Sequence, residues 1–336
     1  MIEHPYDSHP DDDMSDVSSS DNFDNTSYNS INNQHMTDTL NNYFATHRFS
    51  IADSFKPYKF SFACHNIHGL MNPTKQSQIL SAFESKHLDV LGISETKLSL
   101  AASIHNFKNT DLLSSWWSHH PSRQTSGGVG LIIRQPLALH VQKITKWLGR
   151  VIYADLYFTS HQFRIINAYV PAASAHTRQE RKDTQEYLKS LLSSTLSSNI
   201  ICILMGDLNV CPNKYFTLIS SGLSPSPVEF DLYNFLTYHN FTNNCVIHND
   251  TPLPTHIFHD SVNNNTRYSR LDHIWLSPNF PINDLIHNEL WNTEDFYLSD
   301  HLMLIMHFSS HNIHSTIDRE CSFKSKERKA HCHSFS

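Results

Sequence analysis

No run of 18 apolar residues occurs in this chain, and the mean hydropathy is -0.41, so no transmembrane helix is expected. No basic-then-apolar leader opens it, which points to a soluble, intracellular protein. None of the six cysteines, Cys64, Cys202, Cys211, Cys245, Cys321 and Cys332, stands in a C-x-x-C pair, which argues against a cysteine-based zinc site. Cys64 and Cys202 sit inside apolar strand patterns and read as buried free thiols of a reducing compartment. The G-x-x-x-x-G-K-[S/T] loop that cradles nucleotide phosphates is missing. So is a serine or cysteine in a nucleophile elbow or beside a suitable histidine.

What the chain does contain is unevenly spread. The net charge of -7 comes from one end: residues 1–55 hold ten acidic side chains and one basic one, Arg48. The remainder balances at +2, so charge neither demands nor excludes a phosphate-bearing partner. Residues 1–55, rich in Asp, Ser and Asn, carry too little apolar surface to offset their chain entropy and read as a disordered acidic tail. Residues 56–310 read as one folded domain, and 311–336 as a polar, basic, flexible tail. The terminal His331-Cys332-His333 tract is weak evidence for metal binding. Most of the 25 histidines are expected to be solvated and without a role.

Strands are expected at 58–67, 88–94, 129–133, 151–158, 163–170, 200–204, 271–276 and 302–308, from short apolar or alternating runs. Helices are expected from Asn72-Pro73 to about Lys86, between His176 and Ser197, and over Val228 to Tyr238. The second carries Tyr187, Leu188, Leu191, Leu192 and Leu196 on one face. The order βαβ, several strands, a helix, then strands again is not a doubly wound alternation. It predicts an α/β (α+β) fold of two packed, mostly antiparallel sheets flanked by helices.

The ends of the apolar runs carry polar residues of particular types. Asn66 ends the first strand in HNIHG, Glu95 the second in SETK, and Tyr169 closes the hairpin strand in NAYVP. Asp207 and Asn209 follow the buried run before MGDLN, Asp272 opens a late strand in RLDHIWLS, and Asp300-His301 precede the last in LSDH. Residues i and i+2 of an extended segment share a side, so Asp207 and Asn209 are expected to leave the strand end together. Asp-Leu-Asn alone is ordinary turn chemistry; the whole set at strand ends is not. Glu95, Asp207 and Asp300 are hard oxygen donors of the kind that Mg²⁺ or Mn²⁺ takes beside water and phosphate. His301 beside Asp272 would be a carboxylate-oriented imidazole, able to donate to a phosphoryl oxygen. Such a metal polarises phosphorus and neutralises charge during attack.

In this order, HNIHGL, LGISETK, SGGVGLII, NAYVP, MGDLN, SRLDHIWLS and LSDH resemble the endonuclease/exonuclease/phosphatase superfamily, over about Phe60 to Phe308. Tyr169 with GDLN looks most similar to apurinic-type endonucleases, including those of LINE-like retrotransposons. The resemblance implies a four-layer α/β sandwich with its site at the strand ends. It implies that Glu95 is the principal metal ligand, supported by Asn66 and Asp300. By the same carry-over, Asp207 activates or positions the attacking water, and Asn209 orients Asp207 and contacts phosphate. Tyr169 donates to the scissile phosphate, and His301, held by Asp272, stabilises the phosphorane-like state. The implied reaction is Mg²⁺- or Mn²⁺-dependent nicking of DNA to a 3′-hydroxyl and a 5′-phosphate, by a monomer that is nuclear if its substrate is genomic DNA.

Two positions depart from the apurinic pattern. Ala172 stands where those enzymes place a DNA-touching Asn, and Ser269 where they keep an aromatic residue. Both weigh against abasic-site recognition and toward retroelement-type nicking. With no reverse-transcriptase segment in the sequence, a stand-alone relic of such an element is the expectation. The same chemistry on RNA, an inositol phosphate or a phospholipid stays open, as does an inactive nucleic-acid-binding domain. Lys143-Lys146, Arg150 and Arg178-Arg181-Lys182 are expected to be solvated faces. Trp116-Trp117 could stack on a base or wedge a DNA step, with burial against a sheet as the expectation.

Overall fold

The structure, a computed structural model, describes residues 26–47, 59–105, 107, 112–121, 127–158, 161–260 and 265–309. In chain order, helix α1 (Thr26–His47) precedes β1 (Lys59–Asn66), α2 (Pro73–Ser85), β2 (Val90–Ser94), α3 (Leu100–His105), β3 (Leu113–Ser118) and β4 (Val129–Arg134). Then come β5 (Val141–Trp147), β6 (Val151–Tyr157), β7 (Gln162–Tyr169), α4 (Arg178–Ser197), β8 (Ile201–Asp207), α5 (Pro212–Ser220) and α6 (Pro227–Tyr238). The last strands are β9 (Thr242–Asn244), β10 (Ile247–His248), β11 (Thr251–Pro252), β12 (His256–Asp260), β13 (Asn265–Ser269), β14 (Asp272–Leu276), β15 (Leu285–Trp291) and β16 (Met303–Ser309).

Two six-stranded sheets form, in the orders β15-β16-β1-β2-β4-β3 and β5-β6-β7-β8-β14-β9. Each has one parallel pair, β1–β2 and β7–β8, and its other pairs are antiparallel. A parallel pair needs a crossover, and α2 and α4 supply the two. β16 and β14 run against β1 and β8, so they begin at the end of the sandwich where β1, β2, β7 and β8 finish. That topology gathers the polar strand-end residues.

Side-chain packing makes four layers. Phe62, Cys64, Leu131, Ile203, Met205, Ile274 and Leu304 fill the space between the sheets. Leu188, Leu191 and Leu192 of α4 and Phe230 and Leu236 of α6 cover the outer face of the second sheet, with Tyr187 and Leu196 partly buried beside them. Ile79, Ala82 and Phe83 of α2 cover the first. α2 starts where Asn72 accepts from the Thr74 amide at 2.8 Å with Pro73 behind it, which satisfies an otherwise orphaned donor. Trp117 lies on β3 and is buried over Gly130, where a Cβ would meet the ring at 2.2 Å; Trp116 is half-buried against the inter-sheet core. The burial expected for this pair therefore holds for Trp117 and only in part for Trp116, and β3 is an edge strand that the sequence pattern did not announce.

The sheets are bonded to each other as well as packed. Asn167 of β7 is fully buried and donates both Nδ2 hydrogens across the gap, to the Ile93 and Gly130 carbonyls, each at 2.9 Å. Opposite it, a Cβ on Gly92 would lie 2.7 Å from Asn167 Oδ1. At the far edge, Asn244 of β9 and Asn288 of β15 exchange amide hydrogen bonds of 2.8 and 2.9 Å.

Residues 26–47 correct the expected extent of the tail. They form α1, with Leu40 and Tyr43 buried in the inter-sheet core and Tyr43 Oη accepting from the Leu290 amide of β15 at 2.9 Å. So few apolar residues in 22 leave almost no helical periodicity to read; the helix is held by one narrow stripe and by polar bonds. Residues 1–25, 48–58 and 310–336, with the His331-Cys332-His333 tract, lie outside the described residues, as does Ser160 at the expected hairpin turn.

Two stability predictions follow from these contacts. Asn167→Ala leaves two interior carbonyls without their cross-sheet donor, each worth about 1–3 kcal/mol, so the urea midpoint should fall with an unchanged slope. The second concerns Glu289, whose carboxylate lies 3.1 Å from Lys86 Nζ and 3.7 Å from His307 Nε2. Burial raises its pKa, but the His307 ring and the Lys86 ammonium overcome this and hold it down to about 2. A depressed carboxylate stabilises the fold above its unfolded value and loses that contribution as pH falls through the folded one. Glu289→Gln should therefore be destabilising at pH 7, with the gap to wild type closing between about pH 4.3 and pH 2 in thermal melts.

Candidate active site

Three of the sequence motifs interlock around Glu95. Past the end of β2, Glu95 and Lys97 adopt left-handed φ of 54° and 51°, a conformation non-glycine residues seldom hold unless neighbours over-determine it. Here they do. The Gly69 and Leu70 amides donate to the Glu95 and Thr96 carbonyls at 2.8 and 2.9 Å. The Thr96 and Lys97 amides donate to the Gly128 and Gly127 carbonyls at 3.1 and 2.8 Å. A Cβ on Gly128 would stand 2.2 Å from Thr96 Oγ1, so Gly127 and Gly128 serve as a backbone cradle for the SETK loop. The Glu95 carboxylate lies 3.2 Å from Lys97 Nζ and 3.6 Å from His68 Nδ1. Burial raises its pKa, yet hydrogen bonds from Tyr169 and Asn66 and the Lys97 charge bring it below the usual range, so it is ionised.

Asp207 closes β8 opposite Tyr169 of β7 and Asp272 of β14. Asn66 Nδ2 donates to Asp207 Oδ2 at 2.9 Å, and the Asn209 amide donates to Oδ1 at 3.0 Å. Asn209 itself turns at φ 47° and sends its carboxamide to the Val170 carbonyl, 2.9 Å away. The two residues therefore do not leave the strand side by side as the period of two suggested. Asn209 orients Asp207 through its backbone and ties the Asp207 loop to the Tyr169 loop through its side chain. Burial, then the charge of Asp272, push the Asp207 pKa up to about 7. Tyr169 is pushed far above its ordinary value by burial and by the Glu95 and Asp207 charges, so it stays a neutral donor.

His301 Nδ1 meets Asp272 Oδ2 at 2.6 Å, with both side chains buried. Burial opposes the charged imidazole, but Asp272, Asp207 and Asp300 lift its pKa to about 9, so both ring nitrogens carry protons at neutral pH. Asp272 is held below the usual range by that ring in spite of its burial. The His301 carbonyl accepts from His65 Nε2 at 3.0 Å, whose Nδ1 then accepts from Tyr297 Oη at 2.8 Å. Asp300 turns its half-exposed carboxylate to His256, 3.5 Å away, while Lys97 stands against Glu95.

Sequence reasoning missed several residues that hold this arrangement. Arg181 is fully buried, not on a solvated face as expected. It donates to the carbonyls of Pro171 at 2.5 Å, Asn209 at 3.2 Å, Val228 at 3.0 Å and Glu229 at 2.6 Å, clamping the loops after Tyr169 and Asp207. Arg150 is likewise buried, bonded to Glu180 at 2.7 Å and set 4.9 Å over the Tyr169 ring. An arginine in a polar helical turn gives no sign that carbonyls will surround it. Thr255 accepts from the Leu271 and Asp272 amides at 3.1 and 3.0 Å, and Ser299 bonds the Asn66 carbonyl at 2.7 Å. Ser269, one of the two departing positions, bonds His256 Nδ1 at 3.1 Å.

The donor set suits a hard cation. Glu95, Asn66 and Asp207 are linked by hydrogen bonds and offer only oxygen as ligand atoms, and the Lys97 ammonium marks a face of Glu95 open to positive charge. Ligand atoms also converge within 4.8 Å in Asp207–Asp272–His301 and in His256–Asp300–His301.

A family model described as endonuclease/exonuclease/phosphatase matches residues 63–301. No curated protein matches the chain. Among solved structures, the AP endonuclease LMAP from Leishmania major is 19% identical with a TM-score of 0.58, covering 76% of this chain and 90% of that one. The 3′ phosphatase NExo from Neisseria, bound to a product DNA hairpin, is 17% identical with a TM-score of 0.56, covering 75% and 100%. The endonuclease domain of TRAS1, a telomere-specific non-LTR retrotransposon, is 10% identical with a TM-score of 0.51, covering 75% and 99%. At these identities the similarity to solved structures is one of fold, an α/β sandwich, while the family model spans every motif from β1 to His301. The chain belongs to the endonuclease/exonuclease/phosphatase family.

Proposed function

We propose that this protein is a divalent-metal-dependent phosphodiesterase that nicks DNA, of the retroelement type. One observation carries the reading: a buried His301–Asp272 pair at 2.6 Å stands within reach of Asp207, which Asn66 links to an ionised Glu95. That combines a proton acceptor, a cationic donor and a hard-oxygen pocket at one strand-end surface. DNA as substrate is supported by the neighbour that holds a DNA hairpin, and the retroelement type by the similarity to the TRAS1 domain.

Each residue has a part. Glu95 and Asn66, with Asp300, would hold Mg²⁺ or Mn²⁺, which supplies charge neutralisation at the phosphate. Asp207, fixed by Asn66 and the Asn209 amide, accepts the proton of the attacking water as its oxygen bonds to phosphorus. His301, with Nδ1 committed to Asp272, presents Nε2–H to a non-bridging oxygen and stabilises the charge that develops there. Tyr169 keeps its phenolic proton and hydrogen-bonds Glu95. The phosphorus–O3′ bond then breaks, the departing oxygen takes a proton, and the products are a 3′-hydroxyl and a 5′-phosphate. Ala172 and Ser269 leave no aromatic ring or carboxamide at the positions that would favour an abasic site.

Supercoiled plasmid should become open circles with the full chain and Mg²⁺, and should stay supercoiled with EDTA. Glu95→Gln, Asp207→Asn and His301→Ala should each slow nicking by on the order of 10²–10⁴-fold. Intact and abasic duplexes should be cut at similar rates. Nicking that survives all three substitutions would remove the site assignment. A folded wild-type chain that leaves plasmid untouched would move the reading to RNA or a small phosphoester.

A further inference from the structure

The hairpin β12–β13 belongs to neither large sheet, yet its root is sewn to the His301 segment on both sides. The Leu302 amide donates to the Thr255 carbonyl at 2.6 Å, and the Ile257 amide donates to the Asp300 carbonyl at 2.8 Å. Between them, His256 pairs backbone to backbone with His301 and lays its ring 4.6 Å from the His301 ring. The His256 side chain spans from Ser269 Oγ at 3.1 Å to the Asp300 carboxylate at 3.5 Å. Displacing the hairpin therefore displaces residues 300–302.

The other side of the same hairpin is held by α1. Thr37 Oγ1 and Tyr268 Oη share a hydrogen bond of 2.6 Å, and Asn33 Nδ2 donates to Asn265 Oδ1 at 3.1 Å. Asn33, Thr37, Leu40 and Phe44 follow one another at spacings of three and four, so they form one stripe of the helix. The first half of that stripe grips the hairpin, and the second half is packed into the inter-sheet core, where Tyr43 also caps the Leu290 amide. Tyr268 and Ile257 of the hairpin pack against the same core. α1 thus ties a protruding hairpin to the rigid sandwich along a single face.

We propose that α1 is a strut for the site: it fixes the posture of hairpin β12–β13, and through it His256, a positioning residue, sets the Asp300–His301 pair. The serine at 269, which departs from the apurinic pattern, becomes part of this device by holding His256. The kinetic half of the proposal rests on the phosphodiesterase reading given above; the geometric half does not.

The test uses the full chain with Thr37→Ala, Thr37→Ser, Tyr268→Phe and the Thr37→Ala/Tyr268→Phe pair. The readouts are imidazole NMR resonances of His256 and His301, melting temperature, and the KM and kcat of plasmid nicking. Thr37→Ala and Tyr268→Phe should each shift both imidazole signals and lower kcat several-fold at a little-changed melting temperature. Thr37→Ser should restore both. The pair should do no more than Thr37→Ala alone, because that change already removes the Thr37–Tyr268 bond together with the Thr37 bond to the Asn33 carbonyl. Unmoved His256 and His301 signals in Thr37→Ala and Tyr268→Phe overturn the strut, whatever the activity. Shifted signals in a chain that does not nick DNA uphold the strut and count against the phosphodiesterase reading instead.

Discussion

Beneath the site the two sheets approach so closely that side chains are selected by what fits between them. Asn167 spans the gap with both amide hydrogens, and only a glycine fits opposite it at position 92. Gly206, next to Asp207, is shut in the same way: a Cβ there would stand 2.1 Å from the Ala168 carbonyl, and its φ of 127° suits glycine alone. Packed interiors do not deform continuously. The distance from Glu95 on one sheet to Tyr169 and Asp207 on the other is therefore set by these contacts, one to three residues down each strand. Polar groups from two sheets can meet at one surface only if that spacing is fixed.

Topology supplies the rest of the convergence. The two parallel pairs deliver Asn66, Glu95, Tyr169 and Asp207 at their carboxyl ends, where open α/β sheets collect ligands. The antiparallel neighbours β14 and β16 start where those strands stop, so Asp272 and His301 enter from the opposite chain direction onto the same surface. This is why residues spread from 66 to 301 were legible as a set. Short apolar runs located the strand ends, and the identities at the ends were chemically coherent.

What could not be read has a common physical cause. α1 lacks apolar periodicity, because its hold on the body is a narrow stripe and a few hydrogen bonds. Hairpin β12–β13, with its half-exposed and exposed residues, looks like loop in composition, yet its backbone is part of the site. Arg150 and Arg181 resemble solvated charges, but their partners are a carboxylate and carbonyls distant in sequence. Burial of a polar residue depends on where its partners arrive, and a linear pattern carries no record of that. Even Asn209, singled out in the sequence for its side chain, makes its contact to Asp207 with a backbone amide.

Histidine makes the same point in reverse. The chain has 25 of them, and their number alone says nothing about role. His65 and His273 are buried with a carbonyl on Nε2, and desolvation lowers each to about 4, which keeps them neutral and structural. His301 is almost as enclosed, yet three carboxylates around it outweigh desolvation and raise it to about 9. Two of those carboxylates, Asp207 and Asp272, are buried, and like charges so placed resist ionising together. The cationic ring between them is what makes the pair tolerable, so Asp207, Asp272 and His301 form one electrostatic unit in which no member keeps its environment without the others.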